Sequence, residues 1–156
     1  MKYIKLYEGY KDPSNDPSVQ EFLAKYEKDV HMHNDREYHR CIDRAKFYNI
    51  PSAFFDEFLI INFLYEGHWK SGYKKEDDYT KNQIKKYVLS LIIKKFEDDP
   101  TLYSELKAGL DKRQKFNSRG SFDYIQNAVV NNSYFLFHAA IKKAPEWIIN
   151  TLKYNL

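Results

Sequence analysis

Apolar residues recur at helical spacing along most of the chain. Val19, Phe22, Leu23, Tyr26 and Val30 lie three and four apart, the spacing that turns one side of an α-helix toward a core. The start of that helix is marked. A turn cluster, Asp12-Pro13-Ser14-Asn15-Asp16-Pro17, ends with Asp16 at the N-cap position and Pro17 at the first helical position, where a missing N–H costs nothing. Asn34 and Glu37 form a capping-box-like pair ahead of a second helix, which carries Tyr38, Cys41, Ile42 and Ala45 on one face. Asn49-Ile50-Pro51 breaks it, and Ser52 is placed to cap a third helix running to about residue 66. A polar connection over 67–72 leads to the fourth and longest helix, about 78–97. Pro100-Thr101 opens a fifth, which ends before Asn117-Ser118-Arg119-Gly120-Ser121. A sixth covers 122–143 with a break near Asn131-Asn132, and Pro145 permits a seventh over 146–153 with Trp147 and Ile148 packing inward. Residues 2–7 alternate in the manner of a strand, with Ile4 and Leu6 on a different side from Tyr3 and Lys5, yet no second strand is evident. The pattern therefore predicts a mainly all-α fold: a compact, single-domain bundle of about seven helices over 1–156, with a short extended arm and turn over 1–16 and a helical core over 17–156.

The third and fourth helices depart from the usual apolar stripe. Placed at 100° per residue, Phe54, Phe55, Phe58, Leu59, Ile60, Ile61, Phe63, Leu64 and Tyr65 cover nearly the whole circumference of the third. The fourth keeps only a narrow polar strip, Gln83, Lys86, Ser90 and Lys94, opposite Ile84, Val88, Leu91, Ile92 and Phe96. A helix apolar all round is a buried helix. Either the other helices wrap both, or part of this surface meets another chain, a second copy included.

Composition supports the helical reading. Gly and Pro number only 5 each, too few for the many turns of a sheet protein. The 14 Tyr and 11 Phe suit interface cores, and Lys, Asn, Ile and Tyr are also what an AT-rich genome encodes. Small helical chains of this composition look like accessory proteins of phages and mobile elements. The net charge of +3 arises from interspersed signs, weaker than the basic stripe of a dedicated nucleic-acid binder. With Cys41 as the one cysteine, no internal disulfide can form. The start of the chain lacks the apolar run of a secretory signal, and the longest uncharged apolar run, 58–65, is far short of a bilayer span. A cytoplasmic location away from membranes is expected.

Candidate chemistry is sparse. His31-Met32-His33-Asn34-Asp35 resembles the His-x-His-x-Asp metal motif of metallo-β-lactamase-like hydrolases over five residues. Arg36 stands where that family has its next histidine, and the surroundings are helical where the family has a sheet, so the likeness goes no further. A zinc site of another kind would draw on His31, His33, Asp35 and His39, with borderline-soft ligands, although residues two apart do not share a helix face. The segment from Arg44 to Phe58 has helix-turn-helix spacing, with Ala45 at the contact and Asn49 at the turn position that usually holds Gly. Its second helix opens with Ser52, Ala53, Asp56 and Glu57, with no side chain suited to reading bases. Lys70, Lys74, Lys75, Lys81, Lys85 and Lys86 form one basic group, and Lys112, Arg113, Lys115 and Arg119 another.

No catalytic constellation, phosphate loop or cofactor motif appears in the sequence. The expectation is a non-enzymatic protein-binding module, in concrete form an inhibitor of a host defence enzyme, anti-CRISPR-like, that covers a functional surface. Partner contact is expected at Trp69, Tyr73 and Tyr10, with electrostatic support from Lys74, Lys75, Arg113 and Arg119. The alternatives are a nucleic-acid-binding regulator built on the Arg44–Phe58 unit and a small metal-dependent enzyme.

Overall fold

The computed structural model describes residues 12–32, 35–66, 76–115 and 124–154, with side chains for 12–28, 38–65, 76–112, 133 and 135–153. The described residues form seven α-helices: α1 (Pro17–Met32), α2 (Asp35–Phe47), α3 (Phe55–Glu66), α4 (Asp78–Asp98), α5 (Thr101–Lys115), α6 (Tyr124–Lys143) and α7 (Glu146–Tyr154). Short 3-10 turns at Pro13–Asn15 and Ser52–Phe54 precede α1 and α3, and no strand occurs among these residues. The segment expected to form an extended arm, residues 2–7, lies outside them.

Local chemistry sets the helix starts. Asp16 accepts from the Ser18 backbone N–H at 2.9 Å and from the Ser18 hydroxyl at 2.7 Å, capping α1, with Pro17 first in the helix. The same carboxylate accepts from Tyr79 Oη and from Gln83 Nε2 at 3.0 Å, tying the start of α1 to α4. The Tyr79 hydrogen bond, with those from Ser18, holds the Asp16 carboxyl well below the ordinary carboxylate range. Asp77 caps α4 by accepting from the Thr80 N–H at 2.7 Å, and Asp99 accepts from the Thr101 N–H at 3.1 Å ahead of α5. Ser52 differs from expectation. It opens a 3-10 turn after Pro51 that has no side-chain cap, and α3 begins at Phe55. Nor does α6 break at Asn131-Asn132. It runs unbroken, because packing along its length outweighs the weak helix propensity of two asparagines.

The core is organised around α3, which packs on α6, α2 and α4. Phe58, Leu59, Ile60, Ile61, Asn62, Phe63 and Leu64 are all buried. From α4, Ile84, Val88, Ile92, Ile93 and Phe96 join the same core, with α1 contributing Val19 and Phe22. Aromatic edges fill the junctions: Phe22 and Tyr26 meet Phe63 at centroid distances of 5.4 and 5.5 Å, and Phe54 meets Phe96 at 5.9 Å. The buried amide of Asn62 is satisfied by accepting from Arg44 Nη1 at 2.5 Å and donating to the Phe58 carbonyl at 2.7 Å. The two apolar helices are thus largely wrapped by the others. On α7, Ile148 is buried as expected, but Trp147 is not. A nine-residue helix lying against one neighbouring surface directs adjacent side chains apart, and Trp147 is left half in water.

The corner between α2 and α3 depends on two backbone features. Asn49 adopts φ 63°, the left-handed conformation that ends helices and that asparagine tolerates better than most residues, and the Ile50 N–H donates to the Ala45 carbonyl at 3.0 Å. Gly109 of α5 lies against this corner, and a Cβ there would overlap the Asn49 carbonyl oxygen. Gly109→Ala gains about 1 kcal/mol of helix propensity, yet it forces two backbones apart. Denaturant unfolding is expected to show a net loss of about 2 kcal/mol, and an unchanged or increased stability would contradict this packing.

Candidate functional site

The groove between α1, α3 and α4 brings together apolar walls and a group of charges. It has a volume of about 590 Å³ and is lined by Leu23, Tyr26, Glu27, Asp56, Glu57, Ile60, Tyr87, Leu91 and Lys95. Helical spacing explains the set. Leu23, Tyr26 and Glu27 share one face of α1, Tyr87, Leu91 and Lys95 are four apart on α4, and the first turns of α3 supply Asp56, Glu57 and Ile60.

Glu57 forms the floor. Its side chain is 3% exposed, and its Oε1 accepts from Lys95 Nζ at 2.9 Å. The ammonium also donates to the Ala53 carbonyl at 2.5 Å and lies 5.6 Å from the Phe54 ring centroid. Burial pushes the Glu57 carboxyl above its ordinary range, while the bond and charge of Lys95 pull it back. Two tyrosines stand over this pair. Burial raises the Tyr26 hydroxyl, and the carboxylates of Asp56 and Glu57 raise it further. Tyr87 is raised by burial and then by Glu57, Asp12 and Glu27. Glu57 acts on both hydroxyls, Asp56 on that of Tyr26 and Glu27 on that of Tyr87. Asp56 and Glu27 are exposed, and among the described residues no ion pair holds either of them. Chemically the groove offers an apolar bed, two tyrosines and two carboxylates that no ion pair among the described residues offsets.

None of the residues expected at a partner-binding site lines this groove, and most of them lie outside the described residues. Trp69, Tyr73, Tyr10, Lys74, Lys75, Arg119 and His33 lie outside the described residues. Arg113 falls in the last turn of α5, His31 in that of α1 and Asp35 at the start of α2, with side chains outside those described. His39 is exposed on α2 and meets the Tyr38 ring edge-on at 5.6 Å, whereas Cys41 turns into the core. No group of three or more potential metal ligands occurs among the described residues. Lys81 and Lys85 of the first basic group lie 5.7 and 5.2 Å from the Tyr65 ring centroid, a packing role within the fold. The helix-turn-helix spacing marks a corner of the core. Its second helix is closed in by neighbours from Phe58 to Leu64.

Sequence reasoning missed Lys95, Tyr87 and the role of Glu57. The available signal was Glu57 itself, a carboxylate at the head of a helix that is otherwise apolar all round, where a buried acid needs a partner. Among the described residues no helix is long and apolar enough to cross a membrane. Comparison with protein families, curated proteins and solved structures finds no match to this chain.

Removing the ammonium leaves the floor uncompensated. Lys95→Met is expected to cost about 2 kcal/mol at pH 7, discounted because the lysine is partly in water. The sign of the pH effect follows from a Glu57 carboxyl whose folded-state pKa lies above the unfolded one. Its protonated form favours the folded chain, so the penalty shrinks as the pH falls through that raised value. Urea unfolding at pH 7 and pH 4 checks this, and a penalty that grows on acidification would contradict it.

Proposed function

We propose that this chain is a non-enzymatic protein-binding module. The observation that carries the reading is Phe135, which α6 holds 76% exposed beside the buried Leu136 and Phe137. Trp147 on α7, 47% exposed, adds a second large aromatic surface outside the core. Burying a phenylalanine side chain is worth about 1.5–3 kcal/mol, and buried aromatic anchors dominate the energetics of protein interfaces. The core does not use these rings. A partner that covered them would gain both the area and the rigidity of a helical platform. An inhibitor that masks the working surface of a host defence enzyme, anti-CRISPR-like, is one form of such a module.

The test is photo-crosslinking in cells that express the chain, with a benzophenone amino acid replacing Phe135, Trp147 or, as a control on an exposed polar position of α5, Glu105. A protein adduct of one defined mass from Phe135 or Trp147, absent from Glu105, is expected. Adducts that form equally from all three positions, or from none, would contradict the reading.

A further inference from the structure

The groove between α1, α3 and α4 carries more chemical information than the exposed aromatics. Its lining holds three carboxylates, Glu27, Asp56 and Glu57, against one ammonium, Lys95. That ammonium is committed to Glu57 and to the Ala53 carbonyl. What faces an incoming ligand is therefore Asp56 and Glu27, set among Leu23, Ile60, Leu91 and the rings of Tyr26 and Tyr87. We infer that this groove receives an arginine-bearing segment of a partner protein, the guanidinium lying against Tyr26 and Tyr87 and meeting the carboxylates of Asp56 and Glu27. The inference rests on the protein-binding reading above and names the chemistry of the partner.

Charge complementarity selects this occupant. A phosphate backbone or an acidic peptide would meet the carboxylates of Asp56 and Glu27, which no ion pair among the described residues offsets. A purely apolar segment would cover Leu23, Ile60 and Leu91 but strip water from two carboxylates and give nothing back. A cation offsets both. Among cations, the guanidinium sheds water more readily than an ammonium, stacks flat on an aromatic ring and presents paired donors to carboxylates. The volume of about 590 Å³ lies within the ordinary range for binding clefts, room for one such side chain with apolar neighbours along the bed.

Isothermal titration of the full chain tests this with a twelve-residue acetylated and amidated peptide of alanine, leucine and arginine. A matched peptide in which citrulline replaces each arginine keeps the shape and removes the charge. The arginine peptide is expected to bind one to one and to weaken steeply with salt. The citrulline peptide, and the arginine peptide against Glu27→Gln/Asp56→Asn, are each expected to bind about tenfold more weakly or worse. Both substituted side chains are exposed, and circular dichroism is the check that the variant folds. Glu105→Gln, which removes a carboxylate outside the groove, is expected to leave the affinity unchanged. Equal binding of the two peptides, or an unchanged affinity in the double variant, overturns the inference. So does a heat of dilution that Glu27→Gln/Asp56→Asn abolishes, which would assign the groove to a second copy of the chain. If the peptides fail while Phe135 still gives a defined adduct, the groove assignment falls and the binding-module reading stands. If both fail, both fall.

Discussion

Residues 58–64 of α3 are withdrawn from water in an unbroken run, which an α-helix permits only when neighbours close on every side of it. That requirement shapes the rest of the structure. α6, α2 and α4 each cover part of the circumference. Because the run includes Asn62, the covering helices must also satisfy an amide, and Arg44 of α2 does so from within the core. The chain reaches α3 through a turn tight enough to need a left-handed residue at Asn49, and α5 approaches that turn so closely that position 109 has room for glycine alone.

The same constraint generates the groove. A helix buried along its length still begins somewhere, and the first turn of α3 favours acidic side chains at its positive end. Asp56 stays in water. Glu57 does not, and α4 compensates it with Lys95, which lies four residues beyond Leu91 and eight beyond Tyr87 on one face of that helix. The groove is where the central helix emerges, and its negative field follows from that position. Exposed rings such as Phe135 on α6 and Trp147 on α7 sit on helices that keep an outer surface.

What the sequence reveals here is what short-range chemistry decides. Asp16-Pro17, Asp77 and Asp99 act within one turn of themselves, so the starts of α1, α4 and α5 are legible in the chain. The all-round apolar character of α3 is equally local, and it correctly implies burial. Asn49 is readable for the same reason, since few residues accept a positive φ. The failures have long-range causes. Asn131-Asn132 have weak propensity, but packing of α6 on α3, α4 and α5 overrides it. Which of Trp147 and Ile148 turns inward depends on how α7 lies, and no periodicity over nine residues fixes that. Glu57 and Lys95 are 38 positions apart, so their pairing exists only in the folded chain. Trp69, Tyr73 and Tyr10, expected at a binding surface because polar loops seldom bury rings, lie outside the described residues. Phe135 and Trp147, among the exposed rings of the described residues, sit on helices, where exposure depends on tertiary packing.

The central claim is that one fully covered helix organises the fold, and native-state hydrogen exchange followed by NMR measures it directly. If it holds, the amides of residues 58–64 exchange only through global unfolding, with an opening free energy equal to that from denaturant titration and higher than those of α5 and α7. Amides of α3 that exchange at a lower free energy than those of α5 or α7 would show that the central helix opens before the outer helices do, and would contradict the account.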